Sequence, residues 1–264
     1  MEHWSTSSPS RLPYVDSYTG YHEDVPVRRL EEPPAQAILI LGFGSPMDVV
    51  DASGRRRTHR AFAVGLEQRP STTEHFGGQL GVEVRLSPLA ARRLLRVPMS
   101  ELADGVIELD DLVGPDAEQL LERLAGAPSW DARFALVDSA IARALDGTPP
   151  PRPEVAWAWR RLCASGGRAR VDDLAHEAGW SRRHLAACFR DEVGLAPKAA
   201  ARLLRFNRAA TLLRRGAADR LGDVALDCGY FDQAHLNRDF REFAGCTPGQ
   251  FTARVMPGGA GVAA

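Results

Sequence analysis

The feature that most constrains this chain is a repeat written into its C-terminal half. Val171-Asp-Asp-Leu-Ala-His-Glu-Ala-Gly-Trp180 aligns with Leu221-Gly-Asp-Val-Ala-Leu-Asp-Cys-Gly-Tyr230 at an offset of 50 residues. After one inserted residue the offset becomes 51. His184-Leu185 then matches His235-Leu236, Phe189-Arg190 matches Phe240-Arg241, Gly194 matches Gly245, and Pro197 matches Pro248. Agreement of this kind in one register marks two copies of a single structural unit.

Each copy meets the physical requirements of a helix-turn-helix. In the first, Leu174, Ala175 and Ala178 put small and aliphatic groups on one face of a short helix. Ala175 and Ala225 fall where a second helix must cross closely, and a larger side chain would push it away. Gly179 and Gly229 follow at the sharp turn, where a positive φ costs glycine nothing. Ser181 and, in the second copy, Asp232 are placed to cap the next helix. Leu185 and Phe189 lie four apart, as do Leu236 and Phe240, and anchor that helix to its core. The opposite face is left for a DNA major groove. Between the copies, Pro197 suits the first turn of a long linker helix over about 198–215, closed by Gly216. Leu203, Phe206, Ala210 and Leu213 form its apolar stripe. Such a helix is about 27 Å long, enough to hold two reading heads about one DNA turn (~34 Å) apart.

Charge agrees with this reading only once the chain is divided. The whole carries 33 Lys+Arg against 34 Asp+Glu, a net of −1 that argues against a polyanion partner. Thr148-Pro149-Pro150-Pro151-Arg152-Pro153 is the densest proline cluster and reads as a stiff connector between domains. Residues 1–151 hold 15 Arg and 22 acids, a net of −7; residues 152–264 hold 18 basic residues and 12 acids, a net of +6. The positive excess falls on the segment that carries the repeat, the electrostatic footprint of a nucleic-acid partner. Opposite signs also imply attraction, so the acidic half is expected to shield the DNA-facing side when no DNA is bound. The longest purely aliphatic run, Ala37–Leu41, is far short of the ~20 residues of a membrane span. Residues 1–20 contain no apolar signal region. The expected compartment is the cytoplasm, with no membrane partner.

The stretch Gly229-Tyr-Phe-Asp-Gln-Ala-His-Leu-Asn-Arg-Asp-Phe-Arg-Glu-Phe-Ala-Gly-Cys-Thr-Pro248-Gly-Gln-Phe251 resembles the signature of the AraC/XylS family of bacterial transcriptional regulators, and the resemblance covers about 154–256. It implies two helix-turn-helix motifs joined by a linker helix and fused to a sensing or dimerisation domain. Carried over by position, it implies that the first recognition helix turns Arg182, Arg183, Ala186 and Ala187 to the bases. The second would turn Gln233, Ala234, Asn237 and Arg238 to them. Arg donates a bidentate pair to guanine, whereas Gln and Asn pair with adenine. Ser181, Arg190 and Arg241 read as phosphate contacts, which position without specifying, and Asp232 stands at the place of Ser181. One departure stands out: the family often has Arg where this chain has Ala187, as the second copy does at Arg238. The first head therefore lacks a long donor there, and Arg183 is the residue able to compensate. Arg238 has an alternative reading of its own, an ion pair with Asp227 or Glu242. His184 and His235 read as packed side chains rather than catalytic ones.

The acidic half is less explicit. Ala37–Leu41, Phe62–Leu66 and Gly81–Leu86 read as strands, the last alternating Val82, Val84 and Leu86 with charged neighbours. Glycines and prolines around them point to a small sheet or partly open barrel. Helices are expected at about 88–97, opened by Ser87-Pro88, at 116–126 and at 131–146, the last with Phe134, Val137, Ile141 and Leu145 at helical spacing. Leu86-Ser-Pro-Leu-Ala-Ala-Arg-Arg-Leu-Leu followed by Pro98-Met-Ser-Glu-Leu resembles sensory domains of actinobacterial-type members of the family, which implies a cupin-like domain without fixing a ligand. Phe43, Phe62 and Phe76 are candidates for an apolar effector pocket, with ordinary core packing as their other reading.

No enzymatic signature competes with this. His22-Glu23, His59 and Glu74-His75 lack the closely spaced His-x-His and following Glu of a metal-binding cupin, so structural roles are expected for them and no metal. Gly42-Phe43-Gly44 alone is a weak phosphate loop, and no Gly-x-Ser-x-Gly elbow is present. Cys163, Cys188, Cys228 and Cys246 all lie in the basic half without Cys-x-x-Cys spacing, which excludes an N-terminal cysteine-ligated zinc site and leaves them as small buried hydrophobes. The expected fold is α+β. A β-rich, cupin-like or partly open barrel domain with trailing helices (1–147) leads through a Pro-rich linker (148–153) to an all-α DNA-binding domain (154–256). In that domain the helix-turn-helix motifs span about 171–194 and 221–245, and a disordered tail (257–264) follows. The expected function is a non-catalytic, cofactor-free transcriptional regulator that binds double-stranded DNA. A small-molecule effector, RNA polymerase and a second copy are its further candidate partners. The alternatives are an N-terminal domain that only dimerises or meets a protein, and, from another class, an enzyme tethered to DNA.

Overall fold

The computed structural model describes residues 3–8, 12, 15–103, 105–114, 116–216, 220–254 and 262–263. Its N-terminal half contains β1 (His3–Ser8), β2 (Val15–Glu23), β3 (Val27–Glu31), β4 (Ala37–Gly42), β5 (Met47–Val50), β6 (Arg56–His59), β7 (Ala61–Val64), β8 (Ser71–His75), β9 (Gln79–Leu86) and β10 (Val106–Glu108). They form two antiparallel sheets. One has the order β1-β2-β9-β4-β7-β10; the other, completed by β11 (Val262–Ala263), has the order β11-β3-β8-β5-β6. The two stay open rather than closing into one barrel.

Alternation along the strands assigns the layers. On β4, Leu39 and Leu41 join the main N-terminal core, whereas Ile38 and Ile40 face the other way and meet Val49 and Phe62 between the sheets. The helices α1 (Pro88–Leu95), α2 (Leu109–Val113), α3 (Asp116–Gly126) and α4 (Trp130–Leu145) follow, with a 3-10 turn at Met99–Glu101. Phe134, Val137 and Ile141 of α4 pack with Tyr18, Leu41, Val82 and Val84 in that core. The Tyr18 hydroxyl also donates to Asp138, fixing α4 to β2.

Strands beyond those expected are mostly polar. β6 reads Arg-Arg-Thr-His and β8 Ser-Thr-Thr-Glu-His, so neither shows a hydrophobic run. Cross-strand charges support them instead: Arg56 bonds Asp48 and Glu74, each at 2.7 Å. The strand expected over Phe62–Leu66 stops at Val64, because the Gly65 amide turns to the Leu102 carbonyl at 3.2 Å.

The C-terminal half is helical: α5 (Pro153–Ala164), α6 (Val171–Glu177), α7 (Arg182–Val193), α8 (Pro197–Arg214), α9 (Leu221–Asp227), α10 (Gln233–Ala244) and α11 (Pro248–Arg254). Pro153 opens α5, its fixed φ suiting a first turn, so the proline connector ends before it. Phe206 of α8 lies centrally, its ring 4.9 Å from Phe240 and 5.1 Å from Phe243. Leu66, Leu89 and Ala103 of the N-terminal half belong to this same core, so the halves share buried surface. The expected disordered tail at 257–264 falls mainly outside the described residues. The two that are described depart from it: Val262 and Ala263 pair with Leu30 and Arg29 along β3, an edge whose amides and carbonyls would otherwise lack a strand.

Candidate functional site

The two helix-turn-helix units form by the same local chemistry. Gly179 and Gly229 have φ of 69° and 79°, the left-handed region that lets the chain reverse between helices. Ser181 accepts from the His184 amide at 3.2 Å and Asp232 from the His235 amide at 2.7 Å, each satisfying a free N–H in the first turn. Ala175 and Ala225 are buried at the crossings, and Leu185, Phe189, Leu236 and Phe240 are fully buried. The equivalent aromatics and histidines meet edge-on, Trp180 with His184 at 4.5 Å and Tyr230 with His235 at 5.1 Å. Both histidines thus brace the turn, which accounts for their presence without catalysis.

On α7 the structure exposes Ser181, Arg182, Arg183, Ala187 and Arg190 and half-buries Ala186. On α10 and its cap it exposes Asp232, Gln233, Ala234, Arg238 and Arg241 and half-buries Asn237. The expected shielding by the acidic half is therefore absent: both faces lie open. Ion pairs between the halves run both ways, Arg214 to Glu32 in the expected sense and Arg92 to Asp191 in the opposite one.

Two arginines exchange the roles expected of them. Arg182 Nε lies 2.7 Å from Asp172, so this base-facing candidate is already paired with α6. Arg238 has no ion pair among the described residues, because Glu242 is engaged by Arg202 of α8 at 2.6 Å. Arg202 also holds the buried Asp239 at 2.7 Å. Sequence reasoning also passed over Phe231. It is the inserted residue that shifts the repeat offset from 50 to 51, and it stands 87% exposed beside the second cap.

The far end of α7 is fixed to the connector through Glu192 and to α1 through Asp191, 3.8 Å from Arg92. Glu192, 5% exposed, accepts from the Arg152 amide at 3.1 Å and from its guanidinium at 2.7 Å. Burial pushes the Glu192 carboxyl up, and the bonds from Arg152 oppose that shift.

A family model described as a helix-turn-helix domain matches residues 174–254. Over 84 residues the chain is 32% identical to YkgA of Escherichia coli (strain K12), named as an HTH-type transcriptional regulator, covering 32% of this chain and 35% of that protein. Over 81 residues it is 31% identical to the HTH-type transcriptional regulator MtrA of Neisseria gonorrhoeae, 31% of this chain and 27% of that one. The helical half thus carries a helix-turn-helix domain over residues 174–254. The chain spans about a third or less of the length of these curated relatives. Across both halves the fold is similar to that of ToxT from Vibrio cholerae, with a TM-score of 0.52 at 9% identity, covering 96% of this chain and 98% of that one. A ToxT structure bound to (E)-4-(8-methylnaphthalen-1-yl)but-3-enoic acid matches with a TM-score of 0.50 at 11% identity, covering 96% and 99%.

Outside the helix-turn-helix domain, the three phenylalanines expected to line an effector pocket are not gathered. Phe43 packs at the margin of the main N-terminal core with Arg133 5.4 Å from its ring; Phe62 is buried between the sheets; Phe76 is 78% exposed. Apolar character pointed all three to an interior but could not say that Phe43 and Phe62 belong to different cores or that Phe76 stays at the surface. The sandwich instead encloses a polar group. Glu23 and His75, each 3% exposed, lie 2.7 Å apart and join β2 to β8, and Arg29 also bonds Glu23. Burial alone would raise the Glu23 carboxyl, but hydrogen bonds from His75 and Arg29 outweigh it and bring it down to about 2. Burial pushes the neighbouring Tyr21 phenol and Glu31 carboxyl upward. The Tyr21 hydroxyl and Arg29 Nε are buried with no hydrogen-bond partner among the described residues.

His59 similarly bonds Glu108. No group of three or more His, Cys, Asp or Glu among the described residues is arranged to hold a metal, and no helix among them is long and apolar enough to cross a membrane. Cys163 departs from the expected burial: it is exposed near the end of α5, while Cys188, Cys228 and Cys246 are buried.

Proposed function

We propose that this chain is a sequence-specific transcriptional regulator of the cytoplasm that reads two adjacent major-groove segments of double-stranded DNA and acts by binding, not catalysis. One observation carries the reading: two helix-turn-helix units of equivalent construction, held by one 18-residue helix, leave exposed recognition faces of equivalent position. In this reading Arg183, Gln233, Asn237 and Arg238 meet base edges, and Ser181, Arg190 and Arg241 meet phosphates. Asp232 positions its helix as cap, Ala186, Ala187 and Ala234 allow close approach to the groove floor, and Arg182 is held back by Asp172.

Selection from random DNA, read with the salt dependence of affinity, tests this. The expected product is a site with two elements about one helical turn apart and binding that weakens steeply with salt. Recovery of no enriched sequence would sink the proposal.

The N-terminal half supplies the regulation, through a small-molecule effector. Support comes from the buried polar group around Glu23, whose unpartnered Tyr21 hydroxyl and Arg29 Nε are groups a ligand would satisfy, and from the acid bound in the ToxT structure. Titration of candidate ligands against operator affinity checks it; unchanged affinity at saturation would leave dimerisation or a protein partner such as RNA polymerase as the role of this half.

A further inference from the structure

A second polar site lies at the junction of the halves. A groove of about 580 Å³ runs between α1, the triproline connector and the C-terminal end of α7, a volume within the ~300–1,000 Å³ of small-molecule sites. Four arginines line it, Arg92, Arg93, Arg96 and Arg152, against two acids, Asp191 and Glu192. Their states differ. Arg93 is occupied with the connector, bonding Thr148 Oγ1 at 3.1 Å and the Thr148 carbonyl at 3.3 Å. Arg152 is held by Glu192 at 2.7 Å. Arg92 is only loosely paired, 3.8 Å from Asp191, and its Nε is buried without a hydrogen-bond partner among the described residues. Arg96 is exposed and caps α1 with φ of 59°, the one non-glycine residue at positive φ among those described. Glycine would take that backbone at no cost, so an arginine there is kept against its own conformational preference.

We propose that this groove binds a small multivalent anion, a polycarboxylate or a phosphate ester, through Arg92 and Arg96. An unsatisfied buried donor beside a free guanidinium, with a net excess of two positive charges along the walls, is the arrangement that charge-assisted bonds to carboxylate or phosphate oxygens complete. An occupant would touch α1, the connector and the Asp191–Glu192 end of the first recognition helix together. It would compete with those two acids for Arg92 and Arg152, and so reach α7 without entering the sandwich.

Calorimetric titration of the full chain with citrate and, separately, with pyrophosphate, against sodium chloride at matched ionic strength, tests this without DNA. Its failure is therefore distinct from failure of the DNA-binding reading. Saturable one-to-one binding of either probe is expected, the responding probe telling carboxylate from phosphate. R92Q and R96Q should each weaken it about tenfold or more, the worth of one charge-assisted bond. Heat no greater than in the chloride control for both probes, or R96Q binding as the unmodified chain does, overturns the assignment. Arg96 is a surface side chain, so R96Q decides the matter even where R92Q does not fold.

Discussion

The two recognition helices are built alike and equipped differently. On α7 the face has alanine at its centre, half-buried Ala186 and exposed Ala187; one flanking arginine is paired with Asp172, and the C-terminal end is fixed to the connector through Glu192 and to α1 of the N-terminal half through Asp191. On α10 the corresponding face carries Gln233, Asn237 and Arg238, while the acids Asp239 and Glu242 are turned to Arg202 of the linker helix. The two copies share a scaffold and differ in what their exposed faces carry. Under the proposed function, one helix is connected to the regulatory half and the other is furnished to discriminate bases.

The largest expected effects concern what the copies share. Phe189→Ala and Phe240→Ala should each cost ~3–5 kcal/mol of stability, as loss of a fully buried aromatic does, and denaturant unfolding should place them close together. A large disparity would show that the two scaffolds are not energetically equivalent. Next come the base contacts, where the helices should part. Arg238→Ala is expected to lose ~1–3 kcal/mol on the selected operator and much less on unrelated DNA, the mark of a base contact. Arg183→Ala should do the same if that residue compensates for Ala187, and fluorescence anisotropy with both DNAs would decide. Equal loss on both DNAs would make either residue a phosphate contact and bring the two heads back to parity.

A smaller effect is expected at the caps. Asp232→Ala should cost ~1 kcal/mol of stability, and Asp232→Asn, which keeps the accepting oxygen, should restore most of it in a thermal melt. The smallest belongs to Arg182. With its guanidinium engaged by Asp172 at the surface, Arg182→Ala should change operator affinity by less than ~1 kcal/mol, the range of an exposed pair. A loss as large as that of Arg238→Ala would show that the ion pair opens on DNA and would undo the proposed division between the helices.

Much of the helical half was legible because its determinants are local. Glycine at a positive φ, an oxygen one residue before a helix and apolar residues four apart each act over a few positions, and the repeat displays them twice. What stayed hidden depends on tertiary placement. Composition shows that Arg182 and Arg238 are arginines, not which one finds a carboxylate. Phe231 was visible as an insertion, yet its exposure follows from where the turn points. In the sandwich, β6 and β8 lack the alternation that marks a strand, since cross-strand charge pairs hold them. The three phenylalanines were hydrophobic enough for an interior, but register along β4 and β7 sends Phe62 to one layer while Phe43 lies past the end of its strand.

The short strand β11 has a topological consequence. By pairing Val262 and Ala263 with β3, the chain returns from the helical half to the sandwich. Here the two halves are joined by the connector, by the strand pairing at β11 and by the core that Leu66, Leu89 and Ala103 share with the helices, so the sandwich edge and the helical half are held together at three places.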